Sequence, residues 1–342
     1  MPLDIKAEME RKFFRLIHYK ENLEISNLVI WYNTLEERVP HFHTHPAHQD
    51  ILPWYKNTPT QKNIEIFTDG SKIGKHVGAA FVMYNNGHEV HSEIYRLNDT
   101  ASVFQAEVLA LKKALIWIGS TITDNIPIRI FTDSRSSLQS LNSDKITKRS
   151  ILSLKEIIKT LLDSHSLELN WIKAHIGIAG NERADSKAKR ATQQDQIDVE
   201  VPLSEISAKH QILQESLKTW QQRWDEDSTG RSTYAFFPQI SLSRIHSDHI
   251  LNQVLTNHGK FPQYMQRFHK KNTRCGCGTS GELAGALHYI TSCPITAKER
   301  TTLFPSPLPS LEILAKCNST LNAMKSIMQL IHANDSDFIV YR

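Results

Sequence analysis

Five side chains in the first two-thirds of the sequence have the types and spacing for shared acid, base or metal chemistry: Asp69, Glu107, Asp133, Asp185 and His175. Two of the aspartates end near-identical runs, Ile64-Glu65-Ile66-Phe67-Thr68-Asp69 and Ile128-Arg129-Ile130-Phe131-Thr132-Asp133. Branched and aromatic residues in such short runs predict strands. If the two strands lie side by side and parallel, both carboxylates reach the carboxyl edge of one sheet, where open α/β folds place their sites. Glu107 shares a helical stripe with Phe104, Leu111 and Leu115, so it faces inward, where an ionised carboxylate without a counter-charge is costly. Asp185 falls in an early turn of a helix opened by the glycine-containing loop that carries His175, and the positive end of the helix dipole favours a carboxylate there. Four converging carboxylates repel one another and raise each other's pKa. Divalent metal resolves that conflict, and a pair of ions suits in-line displacement at phosphorus.

The elements that must position these residues follow from periodicity. Strands are expected at 64–68, 78–84 and 89–95, with a tight turn at Asn85-Asn86-Gly87, which implies an antiparallel meander. A helix over 102–119 crosses to a parallel strand at 128–132. Helices at 134–141 and 150–162, a strand at 167–172 and a closing helix at 180–191 complete an α/β unit with a mixed five-stranded sheet and flanking helices. The chain divides into 1–61, an N-terminal helix and a Pro/His-containing linker; 62–192, the α/β domain; 193–233, a linker and an amphipathic helix with Leu213, Leu217, Trp220 and Trp224 on one face; and 234–342, a mainly helical region. The linker histidines His41, His43, His45 and His48 fit a solvated loop better than a metal site, since neither acid nor cysteine accompanies them.

The runs TDGS at Asp69, QAE at Glu107, TDS at Asp133 and AHIGIAGNERAD ending at Asp185 resemble type 1 ribonuclease H, in the variant found in non-LTR retrotransposon reverse transcriptase polyproteins. The resemblance covers about 130 residues, and four motifs in this order are specific. It implies a ribonuclease H-like fold, a partner that is an RNA/DNA hybrid, and two Mg²⁺ or Mn²⁺ held by Asp69, Glu107, Asp133 and Asp185. Asp69 would bridge both ions, and His175 would assist proton transfer or product release, roles suited to imidazole. Many cellular relatives carry paired asparagines before the catalytic glutamate, whereas this chain has Ser102-Val103-Phe104-Gln105. The candidate substrate contacts are therefore Gly70, Ser71, Ser102 and Ser134, by close backbone approach to a ribose or by hydroxyls that hold phosphate. Between Asp133 and Trp171 there is room for two helices and not for the extra basic handle of some relatives, so affinity would rest on other parts of the chain.

A second group, Cys275, Cys277, His288 and Cys293, has spacing that suits one Zn²⁺, with unligated thiols on a loop as the alternative. It is similar to the cysteine/histidine motif downstream of ribonuclease H in such polyproteins, and Arg267, Lys270, Lys271 and Arg274 flank it within reach of phosphate. Cys317 reads as a buried packing residue.

With 40% apolar and 22% charged residues, the 342-residue chain can build cores and has no apolar run long enough to span a bilayer. The first residues lack the pattern of a secretory signal, so an intracellular location, cytoplasm or nucleus, is expected. Net charge of +4 is only a mild sign of a polyanionic partner. The expected function is hydrolysis of RNA in RNA/DNA hybrids, with the remainder of a reverse transcriptase polyprotein as a further partner. The competing reading is a decayed nucleic-acid-binding module of retroelement origin. A transposase or integrase is disfavoured, because the His-containing loop is not expected there.

Overall fold

The computed structural model describes residues 1–39, 52–123, 126–143, 148–242, 248–334 and 338–341; the four linker histidines lie outside them. Two compact units are present, one of Glu10–Leu213 and one of Met1–Met9 with Gln214–Arg342. In chain order, α1 (Leu3–His18) precedes a small hairpin of β1 (Leu23–Ile25) and β2 (Leu28–Ile30). After the short β3 (Trp54–Tyr55) come β4 (Ile64–Ile73), β5 (His76–Asn85) and β6 (His88–Leu97), then α2 (Val103–Thr121), β7 (Ile128–Thr132), α3 (Arg135–Leu141), α4 (Arg149–Leu162), β8 (Leu167–Trp171) and α5 (Ala179–Ala191). The long α6 (Glu205–Glu226) follows.

The mixed sheet runs β3-β8-β7-β4-β5-β6. β4 is central: it pairs antiparallel with β5, the hairpin partner across a tight turn, and parallel with β7, which arrives by the α2 crossover. The five expected strands are all present, and β3 adds a sixth at the edge, parallel to β8. The linker reading of residues 39–59 missed this strand because its anchor is remote. The Asn142 side chain accepts from the Leu52 amide at 2.9 Å and donates to its carbonyl at 2.7 Å.

β4 is buried on both faces because a helix covers each. On one side Leu111, Leu115 and Ile118 of α2 pack with Ile66, Phe81 and Ile130. Each such aliphatic contributes about 1.5–3 kcal/mol on burial, so packing outweighs propensity in fixing α2. On the other side Ala184 of α5 meets Phe67, Val82, Phe131 and Ile172. Small residues are required there: a Cβ on Gly180 would collide with the Phe67 ring.

The α/β unit does not end at residue 192. Asp198 accepts from the Arg96 amide at 2.7 Å, Val199 bridges Leu97, and Leu203 bridges Leu35. Residues 193–213 therefore run with this unit, and so does the segment from Glu10 to Val39, whose Glu37 carboxylate pairs with Arg149 at 3.0 Å. Apolar periodicity marks the helices in these segments but carries no sign of the extended links around Leu35 and Asp198–Val199, which are held by single backbone and side-chain bonds.

The second unit is mainly helical: α7 (Arg231–Phe236), α8 (His249–Thr256), α9 (Pro262–His269), β9 (Thr273–Cys275), α10 (Ala286–Thr291), α11 (Ala297–Leu303), α12 (Leu311–Leu314), α13 (Asn318–Ala333) and β10 (Ile339–Tyr341). Phe236, Phe261, Tyr289, Met324 and Ile327 form its core, and β9 pairs antiparallel with β10. Cys317 is exposed, contrary to expectation. It sits at the N-cap of α13, outside the helical stripe, with its sulfur 2.9 Å from Ser319 Oγ. No helix among the described residues is long and apolar enough to cross a membrane.

Candidate active site

Thr68 and Thr132 are partners in the parallel β4–β7 register, so Asp69 and Asp133 emerge side by side where the strands part. α2 supplies Glu107, and Gly70 is what lets it approach: a Cβ there would lie 2.6 Å from the Glu107 amide nitrogen. The helix start is fixed by a capping box in which the Ser102 hydroxyl accepts from the Gln105 amide while the Gln105 side chain accepts from the Ser102 amide.

Carboxylate oxygens of Asp69, Glu107 and Asp133 lie within 4.8 Å of one another, and the Asp69 and Glu107 side chains are buried. Burial first, then the charges of Asp133 and Asp185, push the Asp69 carboxyl up to about 8. Glu107 is driven well above its ordinary value by burial, then by Asp69 and Asp133. Its Oε2 is buried with no hydrogen-bond partner in the protein. An orphaned oxygen beside two further carboxylates fits a divalent cation, whose positive charge would satisfy all three.

Asp185 lines the same cleft, of about 480 Å³, with Asp69, Glu107, Asp133 and His175. It belongs to a neighbouring set, since its ligand oxygen is within 4.8 Å of atoms of His175 and Glu182. The helix begins at Ala179, so Asp185 sits in the second turn; its counter-charge is Lys189, with Nζ at 2.6 Å, more than the helix dipole. His175 is exposed on a loop in which it and Gly177 both have left-handed backbone, φ 54° and 84°.

Among the expected substrate contacts, Gly70 and Ser134 line the cleft, whereas Ser71 and Ser102 do not. Ser102 is committed to capping α2, and Ser71 lies farther along β4. Val103 and Phe104, not singled out as contacts from sequence, form the apolar wall of the cleft. Asn181 was also missed. It is 1% exposed and its Nδ2 donates to Asp133 Oδ2 at 3.1 Å, while Trp171 Nε1 donates to the Asp133 carbonyl at 3.0 Å. The available signal was an amide side chain on the same face of α5 as Ala184 and Ala188, where apolar residues belong. Asn181→Ala should lower kcat about 10–100-fold, the usual cost of releasing an orienting partner. Steady-state kinetics with the melting temperature as a control checks this, and an unchanged kcat would show that Asp133 needs no orientation.

In the second unit, ligand atoms of Cys275, Cys277, His288 and Cys293 also lie within 4.8 Å of one another. The Cys275–Cys293 sulfurs are 3.8 Å apart, and Cys277 Sγ is 3.4 Å from His288 Nε2. A tetrahedral ion with metal–sulfur bonds of about 2.3 Å needs sulfur–sulfur edges of about 3.8 Å, so the set fits zinc.

The RNase H family model matches residues 61–193. Ribonuclease H of Campylobacter jejuni strain 81-176 is 30% identical over 138 residues, covering 38% of this chain and 91% of that protein. The Pol polyprotein of the type-1 retrotransposable element R1 from Popillia japonica is 25% identical over 210 residues, 60% of this chain and 81% of that protein. The corresponding R1 4 polyprotein of Nasonia vitripennis is 32% identical over 113 residues, 30% of this chain and 27% of that protein. The strand order with its α2 crossover, the carboxylate cleft and a relative matched over nearly its whole length agree: the chain belongs to the ribonuclease H family of enzymes.

Proposed function

We propose that the chain hydrolyses the RNA strand of RNA/DNA hybrids as a metal-dependent endonuclease. The observation that carries this reading is the meeting of buried Asp69 and Glu107 with half-buried Asp133 in one group, with Asp185 and His175 on the same cleft. Two Mg²⁺ or Mn²⁺ ions bound there would supply the charge that makes water nucleophilic and stabilises the departing oxygen. The Asp69 carboxyl feels the charge of Asp185 as well as that of Asp133, which supports a shared role for it. Glu107 and Asp133 complete the deeper set and Asp185 the outer one. Asn181 and Trp171 hold Asp133 in place. His175, exposed beside Asp185 and Glu182, is placed to carry a proton between the cleft and solvent. Val103 and Phe104 offer an apolar wall to the sugar faces of the substrate, where the missing asparagine pair would otherwise form hydrogen bonds. The Cys275, Cys277, His288 and Cys293 set would hold one Zn²⁺. The similarity to the R1 polyproteins supports derivation from a retroelement polyprotein.

Incubation with an end-labelled hybrid and Mg²⁺ should give RNA fragments cut internally, and Asp133→Asn should stop it. Absence of metal-dependent cleavage, or equal cleavage by Asp133→Asn, would replace this reading with that of a binding module that no longer cuts.

A further inference from the structure

In the second unit, the stretch between Asp248 and Glu282 contains no acidic residue, yet it carries Lys260, Arg267, Lys270, Lys271 and Arg274. Its centre is α9, where Tyr264 and Phe268 stand one helical turn apart with ring centroids 4.8 Å from each other. His258 joins them from the preceding loop, 5.3 Å from Tyr264 and 5.6 Å from Phe268. Phe268 is 52% exposed, although core space is available to other aromatics of this unit, and the Arg267 guanidinium sits 5.2 Å over its ring. Lys270 then takes the left-handed conformation that ends the helix, φ 55°, which leaves Arg267, Phe268, His269, Lys270 and Lys271 all on the surface.

A cluster of rings in which Phe268 and His258 face solvent beside a half-buried Tyr264, edged by cations and with no carboxylate near it in sequence, has a specific chemical complement. Flat aromatic ligands stack on the rings, and the anionic groups that link them meet the cations. Single-stranded nucleic acid has both features along one chain. A duplex does not present the faces of its bases, which are already stacked on each other. We infer that this face of the second unit binds single-stranded nucleic acid, with bases stacking on Phe268 and its neighbours Tyr264 and His258, and phosphates held by Arg267 and Lys270. The surface is independent of the hydrolytic reading: it would retain an unpaired strand whether or not the cleft cuts.

The test is fluorescence anisotropy of the full chain with labelled oligouridylate, and in a separate arm oligothymidylate, without added divalent metal. Phe268→Ala should weaken binding about tenfold, the loss of one stacked base, and Phe268→Trp should preserve it. Arg267→Ala with Lys270→Ala should flatten the dependence of log affinity on log salt by about 0.7 for each phosphate no longer neutralised. Cleavage of a short hybrid and the melting temperature should not change in Phe268→Ala, since the residue lies outside the cleft. Binding of either oligonucleotide that falls in this way supports the assignment. Failure of both to bind, or affinity and salt slope equal to those of the unaltered chain in all the alanine variants, would overturn it.

Discussion

Asp69→Asn is expected to lower hybrid hydrolysis by about 10³-fold or more while making the metal-free protein more stable. The two effects have one cause. The carboxyl is buried against like charges, and its proton is held up to about 8, against an ordinary value of 3.8. A carboxyl whose folded pKa exceeds its unfolded one adds stability that is complete below pH 4 and disappears as pH rises through 8. The metal-free protein should therefore melt at progressively lower temperature from pH 4 to pH 8. Divalent metal should restore the loss by replacing the proton, and Asp69→Asn should remove the Asp69 share of the slope, leaving that of Glu107, whose carboxyl is raised first by burial. Near neutral pH the neutral amide is worth on the order of 2 kcal/mol, or several degrees of melting temperature. Calorimetry across that pH range, with and without Mg²⁺, reads all of this. A flat metal-free profile, or a less stable Asp69→Asn, would mean that the carboxylates are compensated by some other charge.

The second large effect concerns the cysteine set. Cys293→Ser should abolish binding of one zinc equivalent per chain and cost several kcal/mol of stability in the second unit. An ion held by four side chains contributes its binding energy to folding. The place of Cys275 and Cys293 in the same core as Tyr289 and Phe261 predicts where the loss appears, in the near-ultraviolet circular dichroism of those rings. Elemental analysis and thermal melts should separate Cys293→Ser from Cys317→Ser, which is exposed and should change neither quantity. A metal-free chain whose melt is the same in both variants would rule out a structural ion.

Much of the acidic centre was legible in the sequence because repetition and phase report on geometry. The twin runs ending at Asp69 and Asp133 announced adjacent parallel strands, and the stripe of Phe104, Leu111 and Leu115 showed which way Glu107 faces. The strand order follows from crossover length and tight turns. What escaped were interactions whose partners are distant in sequence. Nothing near Leu52 signals that Asn142 will hold it just ahead of an edge strand. Asn181 lies inside a recognised motif, yet its bond to Asp133 appears only once α5 is laid on the sheet. Ser102 differs again: its hydroxyl, read from the sequence as a substrate contact, is also employed at the start of α2.

That employment reaches further. Gln105, the other half of the cap, also donates its amide to the Pro202 carbonyl at 2.8 Å. The first turn of the glutamate-bearing helix is thus gauged against backbone lying almost a hundred residues downstream. A graft that carried only the stretch matching the family to another host protein would leave this gauge behind. The portable catalytic cassette is longer than its recognisable motifs, and its trailing strap forms part of the mould in which Glu107 is set.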